Sequence, residues 1–410
     1  MSSFIYISPL FLYFPVIFPG VDTQPFLILG LSLYGLLAGR NRKLPIPILL
    51  LILLILLLIF LRAGAEGNVW GAFRSIQALV GPIIFLGIVA LWAAPPSRRV
   101  MSCVALYFIL VAMLEWFFPD IYRVIASDLL TRASVSDGHR GVSLLTTEPT
   151  YAAISILYFL FLAIWSGEYW GYSHRWIEPV LAICMMATGS TYLILFLLAL
   201  AFLRWPLVTG MAVTTLLVFI SIFGVYALDN DQSVRLIVAA SRVLAVDLDN
   251  ILSSISMLDS SIGSRLVTNV ASYITPFHSP FGMGLNCESL PNALYAARFD
   301  FAYDNPVISF AMYNGCLKPQ SYFAAITLGF GMFSVIFFFL ILLTCRHIAR
   351  LSKQKIWSSA FVVAVIVLAV QGQITNPIPW IMLFIAFNLK YRNLVQHRGQ
   401  CSGLIKPDTI

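Results

Sequence analysis

The segment HRGVSLLTTEPTY, residues 139–151, places a histidine, an arginine and a carboxylate just ahead of a long apolar run. Arg140 carries a planar, permanently charged guanidinium that can grip phosphate oxygens in pairs. Glu148 or His139 has the chemistry to orient or deprotonate an attacking hydroxyl. Gly138 and Gly141 flank the pair and let backbone approach a ligand closely. Pro149 suits the first turn of a helix, where its missing N–H costs nothing. Glu148 then stands at the helix N-terminus, the end that favours an anion. A plain helix cap with Arg140 as its surface counter-ion fits the same pattern.

A second set lies in GSRLVTNVASYITPFHSPFGMG, residues 263–284. A Ser-capped helix is predicted over 260–274, carrying Arg265, and PFHSPFGMGLN (276–286) breaks it. Arg265 reads as a second phosphate ligand or as a solvated helix arginine. Gly282 and Gly284 read as a tight turn against substrate. His278 reads as an acid or base, or as an interfacial histidine satisfied by backbone. Arg235 and Arg242 in QSVRLIVAASRVLAV (232–246) are seven apart and share one helical face. They suit substrate phosphate or anionic lipid headgroups. Arg74 in WGAFRSI (70–76) could join the phosphate site or simply snorkel.

These residues must be held by something other than a soluble core. The chain has 410 residues, is 60% hydrophobic and only 10% charged, with a mean hydropathy of +0.89. Soluble domains carry roughly a quarter charged residues. An all-α polytopic membrane protein follows, with the bilayer as solvent. Apolar windows fall near 4–19, 25–39, 44–61, 75–94, 100–118, 150–165, 177–189, 191–203, 206–227, 321–344, 357–371 and 376–389. They make about twelve transmembrane helices, several shorter than the roughly 20 residues a crossing needs. The N-terminus lacks a basic region and a cleavage site, so it reads as the first span rather than a signal peptide. Gly189–Thr191 marks either a turn between two short spans or a kink in a longer one.

Basic clusters RNRK (40–43), SRR (97–99), HR (174–175), RHIARLSKQK (346–355) and KYRNLVQHR (390–398) all land on one side under this count. That side is taken as the cytoplasm, with both termini there. The organisation is N-terminal helices over 1–118, a large outer loop over 119–149, and central helices over 150–227. A second outer loop or cap over 228–320 contains short amphipathic helices, and C-terminal helices and a tail occupy 321–410. No basic run is interleaved with exposed aromatics, so no nucleic acid partner is expected. Of six cysteines, only Cys287 and Cys316 share an outer loop. An oxidising compartment permits a disulfide there, and two free thiols fit equally well. Neither C-x-x-C nor H-E-x-x-H spacing occurs, so no zinc site is expected.

The run from Arg140 through Glu148-Pro149-Thr150, opening a span, resembles the pattern of bacterial O-antigen polymerases, within the wider O-antigen ligase and polymerase superfamily. So does the Arg265 loop followed by Pro and the Gly282-Met283-Gly284 turn. The resemblance covers the whole topology. It implies an enzyme of the inner membrane with a periplasmic active site and no cofactor. The substrate would be an oligosaccharide repeat unit on undecaprenyl diphosphate. A chain-length regulator and a flippase would be partners. It also implies catalytic roles for Arg140, Glu148, Arg265, His139 and His278. Ligases of the superfamily carry a His-Asn pair with a glycine ten residues after the Asn. Here Asn305 and Gly315 keep that spacing, and Asp304 stands in the histidine's place. The alternatives are therefore a ligase, which moves finished polymer onto lipid A core, and a flippase. A flippase would place ionisable residues deep in the spans.

Overall fold

The computed structural model describes residues 2–13, 46–65, 78–91, 94–130, 142–146, 148–172, 176–190, 260–314, 317–352, 359–370 and 376–388. Among these residues every extended regular element is a helix. In chain order they are α1 (Ser2–Ile7), α2 (Ile46–Ala65), α3 (Val80–Leu91), α4 (Arg98–Phe117), α5 (Pro119–Leu129), α6 (Pro149–Trp170) and α7 (Ile177–Ala187). They continue as α8 (Ser260–His278), α9 (Ser289–Ala296), α10 (Pro306–Asn314), α11 (Tyr322–Phe330), α12 (Phe333–Ser352), α13 (Ser359–Val370) and α14 (Ile378–Asn388). The apolar windows at 25–39, 191–203 and 206–227 lie outside the described residues.

Local chemistry sets the helix ends. Pro95 and Pro96 stand ahead of α4, whose cap Ser97 is extended. Pro119 forces Phe118 out of helical geometry and starts a new helix at once. Glu148 is extended before Pro149, and Gly171 ends α6 in the left-handed conformation. Gly189, also left-handed (φ 59°), stands two residues beyond α7. The apolar run at 321–344, expected as one span, is broken at Gly331 (φ 55°) into α11 and α12.

Helices α4, α6 and α12 (over Phe333–Arg350) are long and apolar enough to cross a membrane, and α2, α3, α7 and α14 are shorter apolar helices. Of the three long ones, α6 is the most enclosed. Of its apolar window 78% is buried inside the protein, against 33% for α4 and 44% for α12. A dense aromatic knot holds the remainder: Trp380 meets Tyr322, Phe85 and Phe337, with ring centroids 5.0, 6.0 and 6.4 Å away. Gly81 makes the room, since a Cβ there would lie 2.4 Å from the Trp380 ring.

The contacts sort the helices into two ends. At one, the Ser166 hydroxyl donates to the Pro96 carbonyl (2.5 Å) and the Trp170 indole to that of Pro95 (3.2 Å). Arg98 and Arg99 begin α4 there. Phe361 of α13 meets Phe387 of α14, and Phe384 meets Trp165, toward the same end. At the other end Tyr13 stacks on Tyr151 and accepts from Asn376 Nδ2 (3.1 Å). Here α12 starts beside the start of α14, so Arg346 and Arg350 run toward the end where Arg98 and Arg99 sit. The described parts of two basic clusters thus share one end.

Helix α8 touches the opposite, capped end along its length. Arg265 reaches Glu148 before α6. The Tyr273 hydroxyl donates to Ala369 O (2.8 Å) near the end of α13. The chain just after α8 meets Arg62 near the end of α2. Its buried face is made largely of small residues, Ser264, Thr268, Ala271, Ser272 and Thr275, with Val267 among them. Thr268, Ser272 and Thr275 donate to carbonyls one turn back, which leaves a low surface for close packing on α11.

Candidate functional site

The two constellations meet in one ion pair. Arg265 Nη2 lies 4.0 Å from Glu148 Oε2. Glu148 occupies the N-cap position of α6, yet its carboxylate bonds none of the helix N–H groups. Its backbone carbonyl accepts from Tyr151 N (3.0 Å) and Ala152 N (3.2 Å) instead. The acid is thus turned away from the cap toward Arg265, in the positive field of the helix start. At 4.0 Å the pair is wider than a direct hydrogen bond. A cation and a carboxylate so placed can bind an anionic group and serve a hydroxyl beside it.

The loop that delivers Glu148 is anchored on α4. Glu115, near the end of α4, is buried, and its carboxylate accepts from Ser143 N at 2.7 and 2.9 Å. It also accepts from Leu144 N (2.9 Å) and from the Ser143 hydroxyl (3.0 Å). Consecutive backbone N–H groups form a concave anion seat, and here the anion is the protein's own. Leu144 and Leu145 take positive φ angles of 52° and 56°, a conformation that costs a side-chain-bearing residue roughly 1–2 kcal/mol. Both leucines are buried, which helps hold the turn.

Tyr122 of α5 completes it. Its hydroxyl accepts from Leu145 N (2.8 Å) and shares a hydrogen bond with the Ser143 hydroxyl (2.8 Å). Burial, and then the Glu115 charge, push the Tyr122 phenol well above its ordinary range, so it stays protonated. The Thr146 hydroxyl lies within hydrogen-bond distance of the carbonyls of Ser143 and Glu148, both at 2.7 Å. Val142 N donates to Ala187 O (3.1 Å), tying the loop to the end of α7.

The second constellation separates along its helix. His278 is the exposed last residue of α8, thirteen residues after Arg265. At about 1.5 Å per residue, roughly 20 Å divides them. His278 therefore stands apart from the Arg265–Glu148 pair. The Gly282 turn packs on protein backbone. Gly282 has φ 75°, and a Cβ there would lie 2.5 Å from the Gly329 carbonyl oxygen. Gly331 faces it as closely, with its own Cβ position 2.4 Å from Gly282 N. Met332 N donates to Pro280 O (2.7 Å) and Met283 N to Leu328 O (2.8 Å). Gly284 also has a positive φ, 82°.

Buried Arg62 locks this junction. It donates to the carbonyls of Phe281 (2.6 Å) and Gly329 and lies over the Phe330 ring, 5.7 Å from its centroid. Asn305 is buried and caps α10: its Oδ1 accepts from Val307 N (3.0 Å) and Ile308 N (3.3 Å). Asp304 is exposed at the end of a short 3-10 turn. Cys287 is disulfide-bonded. Arg74, His139, Arg140, Arg235, Arg242 and Cys316 lie outside the described residues.

The chain matches no protein-family model, no curated protein and no solved structure. What can be said of its chemistry rests on its own residues. Glu115 and Arg62 were not among the expected site residues. Each is a lone charge near the end of an apolar run, VAMLEWFF (111–118) and LLIFLRAG (57–64). A charge in such a place is expensive and usually has a job.

Proposed function

We propose that the chain is a polymerase of O-antigen or a similar surface polysaccharide. It would join repeat units carried on undecaprenyl diphosphate at the periplasmic face of the bacterial inner membrane. The observation that carries this reading is the Arg265–Glu148 pair, which unites two separately recognised segments at the capped end. The capped end would be periplasmic, the basic end cytoplasmic, and about twelve helices would cross.

In the reaction, the acceptor unit's hydroxyl oxygen attacks the anomeric carbon of the donor chain. The bond from that carbon to the diphosphate oxygen breaks, and undecaprenyl diphosphate leaves. Glu148 takes the hydroxyl proton or orients it. Arg265, with Arg140 from the same loop as Glu148, stabilises charge growing on the diphosphate. The ligase reading is weaker here. Asp304 replaces the histidine it needs, and Asn305 is engaged in capping a helix. The flippase reading is also less favoured: the buried charges Glu115 and Arg62 bond backbone near helix ends.

Lipopolysaccharide from a strain lacking this gene separates the readings. A ladder collapsed to core plus one repeat unit, restored by the intact gene but not by its Arg265→Ala form, is the expected result. Bare core with polymer held on the lipid carrier would favour the ligase. Bare core with single units retained on the cytoplasmic side would favour the flippase.

A further inference from the structure

Where the first large loop was expected, α5 begins directly after α4. Helix α4 has 20 residues, about 30 Å at the α-helical rise, which is the thickness of a bilayer's hydrocarbon core. It ends in exposed Trp116, Phe117 and Phe118, aromatics of the kind that mark the membrane–water boundary. An exposed apolar stripe, Leu106, Leu110, Met113 and Phe117, runs up α4 to this point. Its spacings of four, three and four keep it on one face.

Pro119 then turns the chain, and α5 shows three faces. Tyr122 and Ala126 are buried against the protein. Asp120, Arg123 and Ser127 are exposed on a polar face, where Arg123 and Asp120 lie 3.9 Å apart. Ile121, Val124 and Ile125 are exposed on a third, apolar face, which Asp128 closes at its far end. The exposed apolar face of α5 thus follows in sequence, after the Phe118 turn, on the exposed apolar stripe of α4 and its boundary aromatics.

We infer that α5 is an interfacial helix, with Ile121, Val124 and Ile125 seated in the lipid of the leaflet at the capped end. Its polar face looks to water, and its third face grips the protein. Tyr122 bonds the loop that ends in Glu148, so the seat of α5 sets the height of Glu148 at the headgroup layer. The inference is independent of the reaction proposed above. It states where, relative to the bilayer, any chemistry at Glu148 takes place.

Nitroxide labels test it. Cys103, Cys184, Cys345 and Cys401 are replaced by alanine, and single cysteines are introduced as Val124→Cys, Ile121→Cys or Arg123→Cys. The full chain is reconstituted in phosphatidylethanolamine–phosphatidylglycerol vesicles. Relaxation by oxygen is compared with relaxation by a water-soluble nickel chelate. The labels at 124 and 121 should favour oxygen several-fold more than the label at 123. Equal access to the chelate at all three sites overturns the proposal. So do labels at 124 and 121 that are immobile and shielded from both reagents, because a protein partner or a second copy would then cover the face.

Discussion

Arg265 Nη2 and Glu148 Oε2 stand 4.0 Å apart, one on α8 and the other at the start of α6. The pair joins the cap to the most enclosed of the long apolar helices. It is also where a permanent cation and a carboxylate share an accessible edge of the protein: the Glu148 side chain is 46% exposed.

If Arg265 stabilises leaving-group charge, Arg265→Ala should lower polymer formation by about 100-fold or more, as loss of a transition-state donor does. Arg265→Lys should rescue poorly, because an ammonium cannot bond two phosphate oxygens side by side. Gel ladders from complemented strains, normalised to protein level, measure both. Full activity of the lysine form would reduce the role to charge attraction.

Glu115→Leu should destabilise the protein by about 2–4 kcal/mol, since it strands the buried N–H groups of Ser143 and Leu144. Glu115→Gln should lose less, because one carbonyl oxygen still accepts. Thermal unfolding in detergent ranks the three forms. Equal melting temperatures would mean that the turn does not depend on the carboxylate.

Tyr122 carries a pH signature. Its phenol is raised in the folded state by burial and by Glu115, whereas an unfolded tyrosine titrates near 10. The native state thus keeps a proton that the unfolded chain loses. Its contribution is complete below pH 10 and declines as pH rises above that. The stability gap between the unaltered protein and Tyr122→Phe should be flat from pH 6 to 9 and shrink above about 10. Unfolding measured across that range checks it; a gap that widens with alkali contradicts the burial.

Gly282→Ala should be among the most disruptive small substitutions outside the long apolar helices. Its new methyl would meet the Gly329 carbonyl at 2.5 Å, at a positive φ. A loss of roughly 2–3 kcal/mol is expected. Arg62→Ala should destabilise the same junction, because two carbonyls lose their charged donor. The two losses should fall short of additive, since both act on one contact. A double-mutant melting series reads this directly.

His278→Ala should leave polymer length and yield within about twofold of normal. The residue is exposed at the far end of α8, roughly 20 Å along the helix from Arg265. Loss of the ladder in that variant would require a site that extends the whole length of the helix.

The membrane class, the helix start at Pro149 and the interruption at Gly189 were legible in the sequence, because hydropathy and the φ limits of proline and glycine act locally; the helix that Pro119 starts was not, since 119–149 read as a loop. The chemistry of Glu148 and Arg265 was legible too, as a matter of residue type beside helix signals. Their meeting was not, because a pairing across the fold depends on how α8 lies over the helix ends. Glu115 is by sequence only a lone charge near the end of an apolar run, and only the folded turn shows that it bonds Ser143 and Leu144. Gly282 looked like a ligand turn, and the structure fills that space with Gly329 and Gly331. Asn305 matched a distant spacing, and its amide oxygen caps α10. The common reason is that sequence records what a side chain can do. Its partner is set by burial and the need to satisfy backbone groups away from water, and that is settled only when distant segments pack.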